Sequence, residues 1–472
     1  MNITVVCDVL GDENNGTTIA AMNLIRGLKQ RGHSVRVVCP DARRADQPGF
    51  FIVPILHLGP LDKVLEWNQI QLAKRDADVL AEAMAGADVV HVMLPFALGK
   101  CAAKMAHEQG IPLTAGFHMM SENFTAHLAM QNVRLLNRLT YRSFDPLYSL
   151  CDAIHYPTQY LRDLYESMVG PTNGYVISNG VSAAFHKIPA EKPEAWRDRD
   201  VILFTGRYSR EKSHATLIDA VAQCRRRDRI QLVFAGKGPK EKEYRRLSAG
   251  LAHPPIMGFY GQEELLRLLN SCDLYVHASD AEIEGISCME ALACGLVPVI
   301  ANSPLSATPQ FALDDRSLFQ AGNAGDLADK IDYWIEHPEE RAAQGRAYAA
   351  RGDEMRVDAC VARAEDMYRE AIHDCRFHGY KPPRQGRLRR LTHPDPDKAN
   401  QQFYHASALK KTVFGAVTNF LTPLLLFIDG LFFGLRVEGR RHLRGIRGGA
   451  VTVMNHVHPM DCTMAKIAAF PH

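Results

Sequence analysis

Short apolar runs alternate with amphipathic stretches along most of this chain, and that alternation constrains its fold more than any other feature. "ITVVCDV", "HSVRVVCP", "ADVVHVMLP" and "IPLTAGFH" read as strands. Between the first two, "GTTIAAMNLIRGLKQRG" has apolar residues at helical spacing and stops at Gly32. Strand, helix, strand at this spacing means a parallel sheet with crossover helices. The pattern restarts at "DVILFTGRYS" and continues through "IQLVFAGKGP", "CDLYVHAS" and "LVPVIANS". The expected fold is therefore α/β, with two doubly wound Rossmann-like domains joined near Asn179–Lys192. Ligands of such sheets lie beyond the carboxyl ends of the strands, where loops meet helix N-termini.

A length of 472 residues fits two or three domains. The 46% apolar and 23% charged content is that of a soluble globular enzyme. A net charge of +2 implies no polyanionic partner, so nucleic acid is not expected. Eleven cysteines without a C-x-x-C pair read as reduced thiols of a cytoplasmic protein. "MNITVVCDVL" reads as a first strand rather than a signal peptide.

Two stretches carry chemistry. In "FTGRYSREKSHATLIDAV", Gly206 allows a tight turn after a strand, and Arg207 and Lys212 stand five residues apart on the loop. Both can reach one anion, Arg as a fork and Lys as a point charge; the plainer reading is two solvated cations. "FAGKGPKEKEY" places Gly236 and Gly238 after the next strand, with Glu241 where a dinucleotide fingerprint needs glycine. These glycines read as room for a ligand to approach the backbone. In "SDAEIEGISCMEALACGLVPVI", Gly285, Ile286 and Ser287 open a helix whose free amides favour a phosphate. Glu282 precedes that helix and Glu290 lies a turn inside it. Acids so placed suit hydroxyls on either side of a diphosphate, the layout of a nucleotide sugar; the plainer reading is an acidic loop.

Residues 1 to about 375 resemble the retaining glycosyltransferases of family 4, with the two-domain GT-B fold facing a cleft. "GRYSREKSHATLIDA" is similar to the family's G-R-x-x-x-E-K loop, "EIEGISCME" to its E-x7-E signature, "ISNGVSAAFH" to its N-G-V segment, and "GFHMMSENF" carries His118 where the family holds a histidine facing the sugar. The resemblance implies a catalytic set of Glu282, His118, Arg207 and Lys212. It implies a donor-binding set of Gly16, Gly206, Gly238, Gly285, Ile286, Ser287 and Glu290. Arg207 and Lys212 would take the diphosphate, Glu282 the sugar hydroxyls and Glu290 the ribose. Cations would do the work of a metal, so neither metal nor cofactor is expected beyond the nucleotide-sugar donor, with UDP as the prior nucleotide. Lys212→Ala and Glu282→Ala are each expected to lose most turnover and leave the thermal midpoint nearly unchanged.

The implied domains are 1–180 on the acceptor side, 181–350 for the nucleotide sugar, 351–378 as helices crossing back, and 379–404 as a basic linker. Residues 405–472 are a membrane-associating segment and the start of an acyltransferase. In that last part, "VFGAVTNFLTPLLLFIDGLFFGL", Val413–Leu435, is long enough to span a bilayer, but Asp429, Pro423, Gly430 and Gly434 weaken a straight span. A membrane-surface or re-entrant segment is favoured, with a full span and a buried helix pair as alternatives. "GAVTVMNHVHPMDCTM" carries His456 and Asp461 as H-x4-D and resembles the glycerolipid acyltransferases, in which a histidine activates a hydroxyl. The family's later phosphate-binding motif does not follow before His472, so an incomplete domain is expected.

This company suggests a lipid acceptor, of diacylglycerol or phospholipid type, and a site at the inner face of the membrane. The alternatives are a transferase making a soluble or polysaccharide product and a lipid-binding scaffold with a dead sugar site. An NAD oxidoreductase fits least.

Overall fold

The computed structural model describes residues 1–11, 16–57, 59, 71–121 and 134–378, all within one compact unit. The first sheet takes β1 (Asn2–Val6), β2 (Ser34–Cys39), β3 (Phe50–Ile52), β4 (Val89–Val92), β5 (Leu113–Gly116), β6 (Ala153–Tyr156) and β7 (Gly174–Val176). Their order is β3-β2-β1-β4-β5-β6-β7 and every pairing is parallel. The helices of this part are α1 (Gly16–Gln30), α2 (Ala77–Met84), α3 (Ala97–Glu108), α4 (Arg134–Tyr148) and α5 (Gln159–Val169).

The second sheet takes β8 (Asp200–Thr205), β9 (Ile230–Ala235), β10 (Ile256–Gly258), β11 (Leu274–His277), β13 (Pro298–Asn302) and β15 (Leu318–Gln320), in the order β10-β9-β8-β11-β13-β15 and again parallel. A separate parallel pair joins β12 (Ala281–Glu282) to β14 (Leu305–Ser306). Its helices are α6 (His214–Gln223), α7 (Glu241–Leu247), α8 (Gln262–Ser271), α9 (Ile286–Ala293), α10 (Ala324–Glu336) and α11 (Pro338–Asp353), followed by α12 (Val357–His378).

The two parallel sheets are those the apolar runs predict, and each quoted run holds a strand. Helices cover both faces, so central strands are mostly apolar; every residue of β9 is buried, Gln231 included. The helix expected to end at Gly32 becomes α1, with Gly32 at φ 83°. Just past β1, buried Asp8 accepts from the amides of Leu98 (2.8 Å) and Gly99 (3.0 Å), meeting two of the orphan donors at the start of α3.

From the second sheet the chain returns to the first through α12. Cys360, Val361, Ala364, Met367, Tyr368 and Ala371 join the core beside β1 and α1. A Cβ on Gly27 would stand 2.6 Å from Cγ2 of Val361, so α1 and α12 pack closely there. Glu365 of α12 pairs with Arg31 at 2.7 Å, and the Tyr175 hydroxyl donates to the Glu370 carboxylate.

Val413–Leu435, His456, Asp461 and the 379–404 stretch lie outside the described residues. Among the described residues no helix is long and apolar enough to cross a membrane.

Candidate active site

β8 ends in the loop that carries Gly206, Arg207 and Lys212, and this loop is held by the one after β9. The Gly206 amide donates to the Ala235 carbonyl (3.0 Å), and the Lys240 amide donates to that of Tyr208 (3.1 Å). A Cβ on Gly236 would stand 2.0 Å from the Gly206 carbonyl oxygen, and one on Gly238 2.6 Å from that of Tyr208. The sequence reading took these two glycines as room for a ligand. That room is filled by the neighbouring loop, so Gly238 shapes the cation loop from behind. The Tyr208 hydroxyl donates to the Phe234 carbonyl (2.7 Å), and that of Tyr244 to the Ser209 carbonyl (2.9 Å).

The loop closes at Ser213, which among the described residues is the single non-glycine with positive φ, at 51°. Its hydroxyl donates to Oδ2 of Asp280 at 2.5 Å, and the Asp280 amide donates to the Glu211 carbonyl at 2.8 Å. The cation loop and the acid-bearing segment 280–284 are thus tied together at their bases.

That tie brings Lys212 to Glu282: the ammonium donates to Oε1, and the same oxygen lies 3.2 Å from Nε2 of His277. Burial alone pushes the Glu282 carboxyl up, but Lys212 and His277 outweigh it and hold the group well below the usual carboxylate range. Burial lowers His277 despite Glu282, so its ring stays neutral and donates from Nε2. The Tyr275 hydroxyl sits between Nδ1 of His277 (3.2 Å) and the Ser287 hydroxyl (3.3 Å). Lys212 and Glu282 are 19% and 13% exposed, so the pair bears on stability as well as on chemistry. This revises the expectation of an unchanged thermal midpoint.

Residues 282–284 fan out in three directions. Glu282 meets the cation loop. Ile283 packs against the first sheet's core, and its carbonyl accepts from the Thr158 hydroxyl at 3.4 Å. Buried Glu284 accepts from the amide and side chain of Asn179, the latter at 2.6 Å. Burial raises the Glu284 carboxyl to about 7 against the opposing bonds from Ser178 and Asn179. The segment 282–284 therefore touches the cation loop, the first lobe and the connection between lobes.

Gly285 follows with φ 84°, and α9 starts there without a side-chain cap. The helix start lies beside the end of β11, since a Cβ on Gly285 would stand 3.5 Å from Nε2 of His277, and its first amides, those of Ile286 and Ser287 among them, suit an anion. Glu290, one turn inside α9, is pushed up to about 8 by burial alone. The two acids of the E-x7-E pair are thus shifted in opposite directions. Arg207 is half-buried on the cation loop, lowered by burial and raised by Glu211.

The structure gathers Gly206, Lys212, Glu282, Gly285, Ile286 and Ser287 around β8, β11 and α9. It handles His118 and Gly16 differently. His118 is 3% exposed and packs edge-on against His155 at 5.2 Å between ring centroids, and the titratable groups acting on it are His155 and His91. With Ser178 and Asn179 it lines a small cavity at the connection between the lobes. Gly16 opens α1, and a Cβ there would meet nothing within 4 Å. His277, Asp280, Ser213 and Glu284 escaped sequence reasoning. Only His277 left a signal, five residues before Glu282 at a strand end.

Two family models lie end to end on the chain: Glycosyltransferase Family 4 over residues 14–185 and Glycosyl transferases group 1 over residues 188–351. A GDP-mannose-dependent alpha-mannosyltransferase of Corynebacterium glutamicum is 27% identical over 71% of this chain and 78% of its own. A phosphatidyl-myo-inositol mannosyltransferase of Propionibacterium freudenreichii is 25% identical over 75% of this chain and 91% of its own. Sucrose-phosphate synthase from Thermosynechococcus elongatus shares the fold with a TM-score of 0.61 at 16% identity, covering 78% of this chain and 99% of that one. The two sheets and their site define a GT-B glycosyltransferase. Within that class the chain is a protein of the glycosyltransferase family 4 type. Such enzymes take a nucleotide sugar as donor and need no cofactor beyond it. Neither family model reaches residues 405–472.

Proposed function

We propose that this glycosyltransferase moves a hexose, with retention at the anomeric carbon, from a nucleotide sugar to a lipid acceptor of diacylglycerol or phospholipid type. The observation that carries the donor half is the contact of Lys212 with Glu282 beside the uncapped start of α9. Arg207, Lys212 and the first amides of α9 would hold the diphosphate. When the sugar–phosphate bond breaks, negative charge grows on that leaving group and oxocarbenium character on the sugar. Cations and amides already in place act on the growing charge, and losing one such donor costs about 2.7–4 kcal/mol, or roughly 10²–10³ in rate. Glu282, kept ionised by Lys212 and His277, would accept from sugar hydroxyls. Glu290, protonated near neutral pH, can both donate to and accept from ribose hydroxyls.

The acceptor half rests on likeness to the phosphatidyl-myo-inositol mannosyltransferase and on the tail. We read residues 1–180 as the acceptor-side domain, 181–350 as the donor domain and 351–378 as the return to the first. Residues 405–472 would be an acyltransferase-like part that holds the enzyme at the inner face of the membrane. A screen of UDP- and GDP-hexoses against diacylglycerol and phospholipid vesicles, with product mass measured, tests the reading. One donor should yield a glycolipid only when lipid is present. Equal rates on a soluble sugar acceptor without lipid would refute the lipid half, and no transfer from any donor would refute both.

A further inference from the structure

The chain crosses between the lobes near Gly180 and returns near Arg356, and the two crossings are strapped together. The Val181 amide donates to the Met355 carbonyl (2.8 Å), and the Val357 amide donates to that of Val181 (3.1 Å). The Arg356 guanidinium donates to the carbonyls of Ser182 (3.3 Å) and Phe185 (2.6 Å). Gly180 turns at the strap with φ 76°, and a Cβ there would stand 2.7 Å from Cα of Val357.

Glu284 grips this strap from the donor lobe. Its Oε2 accepts from the Asn179 amide (3.1 Å) and from Nδ2 of Asn179 (2.6 Å), and Ser178 adds a further bond. Ser178 and Asn179 are both neutral. A carboxyl buried against neutral groups is a costly choice where glutamine would hold Asn179 without a charge, so its acidity calls for a use. The segment that carries it has little slack. The Ala307 amide donates to the Glu282 carbonyl (3.0 Å), and the Ile283 carbonyl accepts from the Thr158 hydroxyl (3.4 Å). Glu282 stands two residues before Glu284, and Gly285, where α9 begins, stands one after. A shift of Glu284 is therefore passed to both within two peptide units.

We propose that Glu284 is a positioning residue for sugar transfer: its carboxyl clamps the segment bearing Glu282 and the start of α9 to Asn179, and so sets the donor site against the crossing between the lobes. The proposal rests on the reading of Lys212, Glu282 and α9 as the donor site. The clamp also titrates near neutrality, since burial pushes the Glu284 carboxyl up to about 7. When ionised, both of its oxygens accept; when protonated, one of them carries a hydrogen toward groups that are themselves donors, and the grip loosens. The titratable groups around it keep their charge through that range. The Cys360 thiol of α12, acted on by Glu284 and Arg363, is pushed up to about 11 by burial. His118 and His155 line a small cavity with Ser178, Asn179 and Cys360, and burial lowers both rings, His155 to about 4. Glu282 is held ionised by Lys212 and His277.

The test measures kcat/KM for UDP- and GDP-hexoses with the full chain on phospholipid vesicles, well below each variant's thermal midpoint. Glu284→Ala and Asn179→Ala should each lose about 10–100-fold, the scale of a misplaced reacting group. The double variant should lose no more than either single one. Glu284→Gln should recover most of the loss, and the ratio of parent to this variant should climb several-fold from about pH 6 to about pH 8, across the Glu284 value of about 7. Parental kcat/KM in both alanine variants, with only their midpoints lowered, would overturn the proposal and leave Glu284 a structural residue. A ratio that stays flat with pH would overturn the role of the acid. Lys212→Ala separates the two readings. If it loses turnover while Glu284→Ala does not, the donor site stands and the positioning role falls; if it turns over like the parent, the donor-site reading falls and takes this role with it.

Discussion

Lys212 and Glu282, 70 positions apart in sequence, form an ion pair whose carboxylate oxygen Oε1 also lies 3.2 Å from Nε2 of His277. The pair joins the loop after β8 to the strand before α9, so it fixes where a cation and an acid meet. Removing one member of a fully buried pair costs about 3–5 kcal/mol, because the other charge is left behind. With both members slightly exposed, Lys212→Ala should cost on the order of 2 kcal/mol in urea unfolding, and turnover should fall by about 10²–10³. Lys212→Ala with Glu282→Ala removes both charges. The double variant should be more stable than Lys212→Ala alone and remain inactive. Strictly additive stability losses would show that the contact has no energetic weight. Because the Glu282 carboxyl lies below its ordinary value of 4.5, this stabilisation is present above that pH and is lost as pH falls through the lowered value.

Gly285 is required twice over. Its φ of 84° disfavours any side chain, and a Cβ would stand 2.4 Å from Cγ2 of Thr308. Gly285→Ala should therefore lower stability by about 1–2 kcal/mol for the left-handed backbone alone, with the clash added. Donor KM should rise with it, since α9 starts at this residue. Thr308→Ser removes the methyl but keeps the hydroxyl, which lies 2.7 Å from that of Ser306. Gly285→Ala with Thr308→Ser should recover the clash part of the loss and not the backbone part. No recovery in thermal unfolding would mean that the methyl contact is not what limits this site.

The fold was legible because parallel strands covered on both faces are mostly apolar, and "IQLVFA", with Gln231 its one polar residue, reads as such a strand. The residues proposed for the donor site, Arg207, Lys212, Glu282 and Glu290, sit in local patterns that the sequence displays. Their electrostatic tuning was not. Nothing local says that Glu282 gains a cation and a histidine, or that Glu290 gains only burial. Gly236 and Gly238 were misread for a general reason: a missing Cβ reports that something comes close, not what it is. His91, His118 and His155 come from β4, the turn after β5 and β6, so no spacing rule could join them.

Glu290 should make its own contribution to stability against pH. Its folded pKa of about 8 exceeds the ordinary 4.5, so the folded chain holds a proton that the unfolded chain releases. The contribution is complete below pH 4.5 and is lost as pH rises through about 8. Glu290→Gln keeps the uncharged form at every pH. The thermal midpoint of the parent should fall relative to the variant between about pH 4.5 and 8 and run parallel to it above that. Asp8 and Glu284, both raised to about 7, titrate in the same window, and they cancel in the difference between the two proteins. Parallel curves across that range would show that Glu290 is already ionised at neutral pH.

Gly236→Ala should weaken donor binding without removing any charged group. The added Cβ would stand 2.0 Å from the Gly206 carbonyl oxygen, a backbone atom with no flexible end to swing away. Relief requires the loop after β8 to move as a body, and Arg207 and Lys212 move with it. Overpacking of this kind costs about 1–3 kcal/mol in stability. Donor KM should rise, since a cation displaced by a few tenths of an ångström loses part of its hold on a fixed phosphate. Gly250→Ala is the control: a Cβ there meets nothing within 4 Å, and both stability and KM should stay at parental values. If Gly236→Ala lowers the midpoint while donor KM stays at the parental value, the loop after β9 supports the fold alone and does not set the position of the cations.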